Sequence, residues 1–269
     1  MSEFSGKIAV VTGGSQGLGA AIATLLAQRG AAGIVTCGRN SERGEKVASD
    51  ITAQTGCDVR FVQADLQNVE ACRSVIAAAD AAFGTVNVLV NAAAITDRGS
   101  ILDTTPELYD LIMDVNMRAP FFLMQEAAKI MRRDKNEGAI INIASMSALA
   151  GQSFVAAYCA SKGGLATMTK NTAHSLMRDR IRVNGLNIGW MASDGEDAIQ
   201  KSYHGADDDW QEKAAAEQPF GRLIDPKEVA RAVAFLAGPE SGLMTGSMVN
   251  FDQSIWGAYE SAPAPADLQ

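Results

Sequence analysis

The sequence predicts an α/β fold: a doubly wound, seven-stranded parallel sheet with helices on both faces, in a single domain. Three observations carry this. Short apolar, β-branched runs alternate with longer amphipathic stretches from end to end, the pattern of βα units joined by right-handed crossovers. Most of the short runs are continuously apolar, as strands covered on both faces are, rather than alternating in and out. Finally, 269 residues, 47% of them hydrophobic, can bury about 75% of the unfolded surface without metal or disulfide.

Strands are expected at 7–12, 33–37, 59–63, 86–91, 139–144, 181–187 and 247–251. Helices are expected between them at 17–29, 41–55, 68–83, 106–132, 155–178 and 226–237. Ser41, Asn68 and Asp225 read as N-caps, the last followed by Pro226 at the first helical position. The stretch 190–220 breaks the rhythm. It is long, polar and acidic, has a short helical pattern at 207–216, and reads as a lid. The domain is expected over 1–260, with 261–269, carrying Pro263 and Pro265, as a flexible tail.

Composition narrows the partners. Lys plus Arg number 23 against 31 Asp plus Glu, a net charge of −8 that repels phosphate backbones, so nucleic acid is not expected. No apolar run approaches the ~18 residues of a membrane span. The first five residues lack the layout of a signal peptide. Cys37, Cys57, Cys72 and Cys159 show neither paired nor metal-like spacing, which suits a reducing, cytoplasmic setting and no metal. His174 lies inside a helix, away from the reactive end. Asp207, Asp208 and Asp209 read as dipole partners at a helix start.

The first strand runs into Thr12-Gly13-Gly14-Ser15-Gln16-Gly17-Leu18-Gly19, and a helix follows. Glycine permits a tight turn and a close backbone approach, and the helix start offers free N–H groups to a pyrophosphate. An ordinary strand–turn–helix corner is the bland alternative. The candidate contacts are Gly13, Ser15, Gln16, Gly17, Leu18 and Gly19. The second strand ends at Cys37-Gly38-Arg39-Asn40, where an acid would bind the ribose hydroxyl of NAD. That acid is missing. Arg39 suits a 2′-phosphate, so NADP(H) is the expected cofactor and NAD(H) the alternative.

Tyr158 and Lys162 are four apart and share a helix face. A phenol titrates near ~10, and a nearby ammonium is expected to lower that value so that Tyr158 acts as acid/base. Ser145 closes the preceding strand, placed to hold a substrate oxygen, and Ser147 is a second polar candidate. Taken alone, each of these residues has a structural reading as helix packing or loop capping.

Together the motifs resemble the short-chain dehydrogenase/reductase family in its compact single-domain form, over about residues 5 to 257. The resemblance implies a Rossmann fold with catalytic Ser145, Tyr158 and Lys162. It puts the family's supporting Asn, which holds a water in a proton relay, at Asn116. It also implies cofactor contacts at Asp65 and Leu66, at Asn91, Ala92 and Ala93, and at Gly189 and Ser193, besides Arg39 and Asn40. Tyr158 and Lys162 would touch the cofactor too.

Four departures stand out. Asn91-Ala92-Ala93-Ala94 lacks the family's final glycine, Ile188-Gly189 lacks its proline, Ser193 replaces a common Thr, and Asp252-Gln253-Ser254 replaces Asp-Gly-Gly. The substrate candidates are Asp97, Ser145, Ser147, Gln152, Trp190 and His204. They suggest a small alcohol or carbonyl compound, a polyol or sugar in particular. A 3-oxoacyl thioester reductase and a non-catalytic nucleotide sensor are the other readings. Met113, Met117, Met124 and Met131 recur at helical spacing, as core or subunit interface. The resemblance implies a homodimer or homotetramer through this helix.

Overall fold

The structure is a computed structural model that describes residues 2–255. Its elements run β1 (Ile8–Thr12), α1 (Gly17–Gln28), β2 (Gly33–Gly38), α2 (Ser41–Thr55), β3 (Asp58–Gln63), α3 (Val69–Phe83) and β4 (Val88–Asn91). There follow α4 (Pro106–Met113), a π turn (Asp114–Arg118), α5 (Ala119–Arg133), β5 (Ala139–Ser145), α6 (Ala156–Leu176) and β6 (Arg182–Ile188). The chain then forms α7 (Asp194–His204), α8 (Trp210–Ala216), α9 (Pro226–Ala237) and β7 (Met248–Phe251).

All seven strands are parallel, in the order β3-β2-β1-β4-β5-β6-β7. The strand order reverses between β1 and β4, and a crevice opens at the carboxyl ends there. Alternate residues of the central strands feed two cores. Ala9 and Val11 of β1 pack with α1 and α9, while Val10 packs with α3 and α5. All five residues of β1 are buried, which is why the strand has no polar alternation.

Most boundaries shift by a residue or two from expectation, and three differences are larger or change a cap. Asn40, not Ser41, caps α2: its side chain accepts from the Arg43 N–H at 2.9 Å. The expected helix 106–132 is interrupted by the π turn, which adds one residue to the ladder at Asn116. The expected lid stretch, 190–220, contains α7 as well as the expected α8. Ser193 caps α7, Asp194, Glu196 and Asp197 fill its first turn, and Lys201 and His204 its last, a charge order that favours the helix dipole. Met124 and Met131 are core residues, and Met117 packs against Gly164. Among the described residues, no helix is long and apolar enough to cross a membrane. The expected tail 261–269 lies outside the described residues.

Candidate active site

A cleft of about 1030 Å³ lies over the carboxyl edge of the sheet. Its floor is the glycine turn. The Thr12 hydroxyl, 1% exposed, accepts from the N–H groups of both Ala92 and Ala93 at 3.0 Å, tying the turn to the loop after β4. Gly13 has φ +71°, and a Cβ there would lie 3.1 Å from the Ala93 Cα. A Cβ on Gly19 would strike the Gly13 carbonyl, 2.6 Å from its carbon. Gln16 caps α1 without a side-chain bond, and no acid occupies the first turn. That end of the helix therefore presents open N–H groups and a positive potential to the cleft.

Gly13, Ser15, Gln16, Gly17, Leu18, Gly19, Arg39, Asp65, Leu66, Ala92, Ala93, Gly189 and Ser193 all border this space. Arg39 is exposed at its mouth. Two expected cofactor residues point elsewhere. The Asn40 side chain is engaged as the cap of α2. The Asn91 side chain is buried and donates to Asn142 Oδ1 at 2.8 Å, behind the cleft. Arg43, which the sequence reading passed over, donates across the mouth to Gln16 Oε1. A Cβ on Gly189 would meet the Asp252 carboxylate, so a larger residue there requires that side chain to move. Where the family's glycine is missing, Gln253 donates to the Arg222 carbonyl at 2.6 Å and accepts from the Phe220 N–H at 2.8 Å, holding the end of the lid.

At the reactive end, β5 delivers Ser145 and α6 delivers Tyr158 and Lys162 to the same cleft. Lys162 is 2% exposed; its Nζ donates to the Ile143 carbonyl at 2.8 Å and sits over the Tyr158 ring, 5.6 Å from the centroid. Burial pushes the ammonium down to about 8. In the chain alone, the phenol's pKa does not show the expected net fall. Burial pushes Tyr158 up to about 12, the Ser145 hydroxyl pulls it down, Glu196 and Cys159 add to the rise, and Arg98 opposes it. The ammonium lies over the ring and does not overcome desolvation.

Asn116, fully buried in the π turn, does not border the cleft. Its Oδ1 accepts from the Ile95 N–H at 2.9 Å, and its Nδ2 donates to the Ile95 carbonyl at 2.9 Å and to Ser161 Oγ at 3.1 Å. The side chain therefore pins the loop after β4 to α6.

The remaining candidates, Asp97, Ser147, Gln152, Trp190 and His204, border the outer part of the cleft. Ser147 donates to Gln152 at 2.8 Å, and Tyr203 to Asp97 at 3.3 Å. Trp190 stacks on Trp210, with ring centroids 6.0 Å apart. Three polar groups here escaped the sequence reading: Arg98, Glu196 and Gln200. Arg98 adjoins Asp97 and carried no motif; Glu196, three residues after Ser193, looks like half of a helix cap.

Comparison with known proteins decides the family. The family model described as Enoyl-(Acyl carrier protein) reductase matches residues 13–253. A 3-oxoacyl-[acyl-carrier-protein] reductase of Vibrio cholerae is 34% identical over 94% of this chain and 99% of its own. The chain is a short-chain dehydrogenase/reductase. A galactitol 2-dehydrogenase of Agrobacterium fabrum is 30% identical, over 94% of this chain and 99% of that one. The solved L-sorbose reductase of Gluconobacter frateurii, complexed with NADPH and L-sorbose, superposes with a TM-score of 0.88 at 28% identity, covering 96% and 100% of the two chains. As a member of this family the protein is an NAD(P)-dependent oxidoreductase of CH–OH groups, which displaces the non-catalytic reading. The open helix end and the glycines that leave no room for a Cβ fit a dinucleotide.

Proposed function

We propose that this short-chain dehydrogenase/reductase interconverts a hydroxyl and a carbonyl on a polyol or sugar, with NADP(H) preferred. One observation carries the substrate class. The cleft beyond Tyr158 is ringed by Asp97, Arg98, Ser147, Gln152, Glu196 and His204, groups that reward a ligand rich in hydroxyls and penalise an apolar one. A bound nicotinamide supplies the hydride acceptor or donor. The chain does the rest. Ser145 holds the reacting oxygen, and Tyr158 gives or takes its proton. Lys162 keeps a positive charge behind the ring. Asn116 acts through position, by fixing the loop and α6.

Arg39 is the residue set to meet the 2′-phosphate. The expected result is tighter binding of NADPH than NADH by wild type, lost in Arg39→Ala; equal binding by wild type removes the preference. Turnover is tested on polyols and ketoses against 3-oxoacyl thioesters. The thioester reading is favoured by the 34% identity to the Vibrio cholerae reductase, and turnover confined to thioesters would replace the sugar reading. We also propose a homodimer or homotetramer, supported by the exposed Tyr109 and Phe121 on α4 and α5. A cytoplasmic location is supported by four cysteines that form no disulfide.

A further inference from the structure

Beyond Tyr158 and Ser145, the cleft holds a second polar pair. Arg98 lies on the loop after β4 and Glu196 in the first turn of α7, with Nη2 and Oε1 4.0 Å apart and side-chain exposures of 16% and 20%. That separation is too long for a hydrogen bond, so each group keeps free capacity. Glu196 Oε1 accepts from Trp190 Nε1 at 3.0 Å and from Gln200 Nε2 at 2.8 Å. Among the described residues Oε2 accepts from nothing. Arg98 donates through Nε to His204 at 3.1 Å and through Nη1 to the Thr96 carbonyl at 2.8 Å. Among the described residues its Nη2 makes no hydrogen bond and lies 4.0 Å from Glu196 Oε1. Phe154 covers the guanidinium, 5.4 Å from ring centroid to Cζ.

These anchors hold an open acceptor beside an open donor. Both side chains line the same cleft as Tyr158 and Ser145, so a ligand whose reacting oxygen meets those two extends toward the pair. We propose that Glu196 and Arg98 select a substrate bearing a hydroxyl on the carbon next to the reacting one. Glu196 Oε2 accepts its O–H, and Arg98 Nη2 donates to its oxygen. The proposal rests on the alcohol/carbonyl reading above and narrows it to vicinal diols and α-hydroxyketones. An alkyl group in that place strips water from two charges and returns no hydrogen bond. A carboxylate there meets Glu196, and the pair as a whole is neutral. A neutral, hydroxylated neighbour is what remains.

The test uses the full chain with NADPH and matched ketones: 3-hydroxy-2-butanone, 2-butanone and the anion 3-oxobutanoate. Wild type is expected to show kcat/KM for the hydroxyketone at least about tenfold above that for 2-butanone, and Glu196→Gln to reduce that ratio by about tenfold. The same substitution leaves Arg98 unbalanced, so it is expected to raise the 3-oxobutanoate to 2-butanone ratio, a gain that a misfolded variant does not produce. A hydroxyketone preference absent in wild type, or unmoved in Glu196→Gln, overturns the proposal while the oxidoreductase reading stands. Failure of wild type to reduce any of the three overturns the reading beneath it, and the proposal with it.

Discussion

Lys162→Met isolates the energetic burden of the reactive centre. Lys162 is 2% exposed, and among the described residues its ammonium has one hydrogen bond, to the Ile143 carbonyl at 2.8 Å, and no carboxylate partner. Desolvation lowers its pKa from 10.5 to about 8. At 1.36 kcal/mol per pH unit, that gap corresponds to roughly 3 kcal/mol. The sign follows from proton counts. Between about 8 and 10.5 the unfolded chain holds the proton and the folded chain does not, so wild-type stability rises with pH through that window. Below about 8 the burial cost is present in full; above 10.5 it is gone.

Methionine has no charge to bury, but it leaves the Ile143 carbonyl without its donor, a loss of about 1–3 kcal/mol. Near pH 7 the variant is therefore expected to match or exceed wild type in stability while losing turnover. At pH 10.5 it is expected to be the less stable of the two. Urea unfolding across pH 7–10.5 measures this, at fixed protomer concentration because association shifts apparent stability. Titrations shared by both proteins cancel in the difference. That difference is expected to swing by about 3 kcal/mol. Parallel stability–pH curves would refute the assignment of a buried, uncompensated ammonium.

Three further outcomes are expected. Tyr158→Phe should lower turnover by about 10²–10⁴-fold with cofactor affinity near wild type in a fluorescence titration; undiminished turnover removes the phenol from the reaction. Gly19→Ala puts a Cβ 2.6 Å from the Gly13 carbonyl carbon. Backbone cannot yield there, so NADPH affinity should fall by at least about tenfold while circular dichroism stays native-like. Thr12→Val is nearly isosteric but strands the N–H groups of Ala92 and Ala93. It should destabilise the fold by about 2–3 kcal/mol, read as a lower urea midpoint with unchanged m-value.

The sheet was legible because β1, β4 and β5 are buried on both faces, which writes them as unbroken apolar runs. That Ser145, Tyr158 and Lys162 border one cleft was legible because they stand in order at the end of a strand and on one helix face. The lid was not. α7 has no buried residue and carries only Ala198, Ile199 and Tyr203 as apolar side chains, too short a pattern to stand out in a polar stretch, and Ser193, expected as a cofactor contact, also caps it. Depth was hidden for the same kind of reason. A spacing of four places Tyr158 and Lys162 on one face but does not say how far either sinks. That depth sets the direction of both pKa shifts, and it turned the expected fall at Tyr158 into a rise.

The rise bears on how the site works. Burial raises the phenol to about 12 and lowers the ammonium to about 8, so near pH 7 both groups carry their protons. A neutral phenol beside Ser145 is ready to donate to an oxygen that is gaining negative charge, the situation in carbonyl reduction. To accept a proton in the opposite direction, the phenol must give up its own in a desolvated setting, with the Glu196 carboxylate nearby. It takes the role of base only when additional positive charge stands beside it. In the chain's own electrostatics the phenol keeps its proton. Glu196 reinforces that state and Arg98 weakens it, so a pair lining the cleft also helps to set the proton affinity of Tyr158.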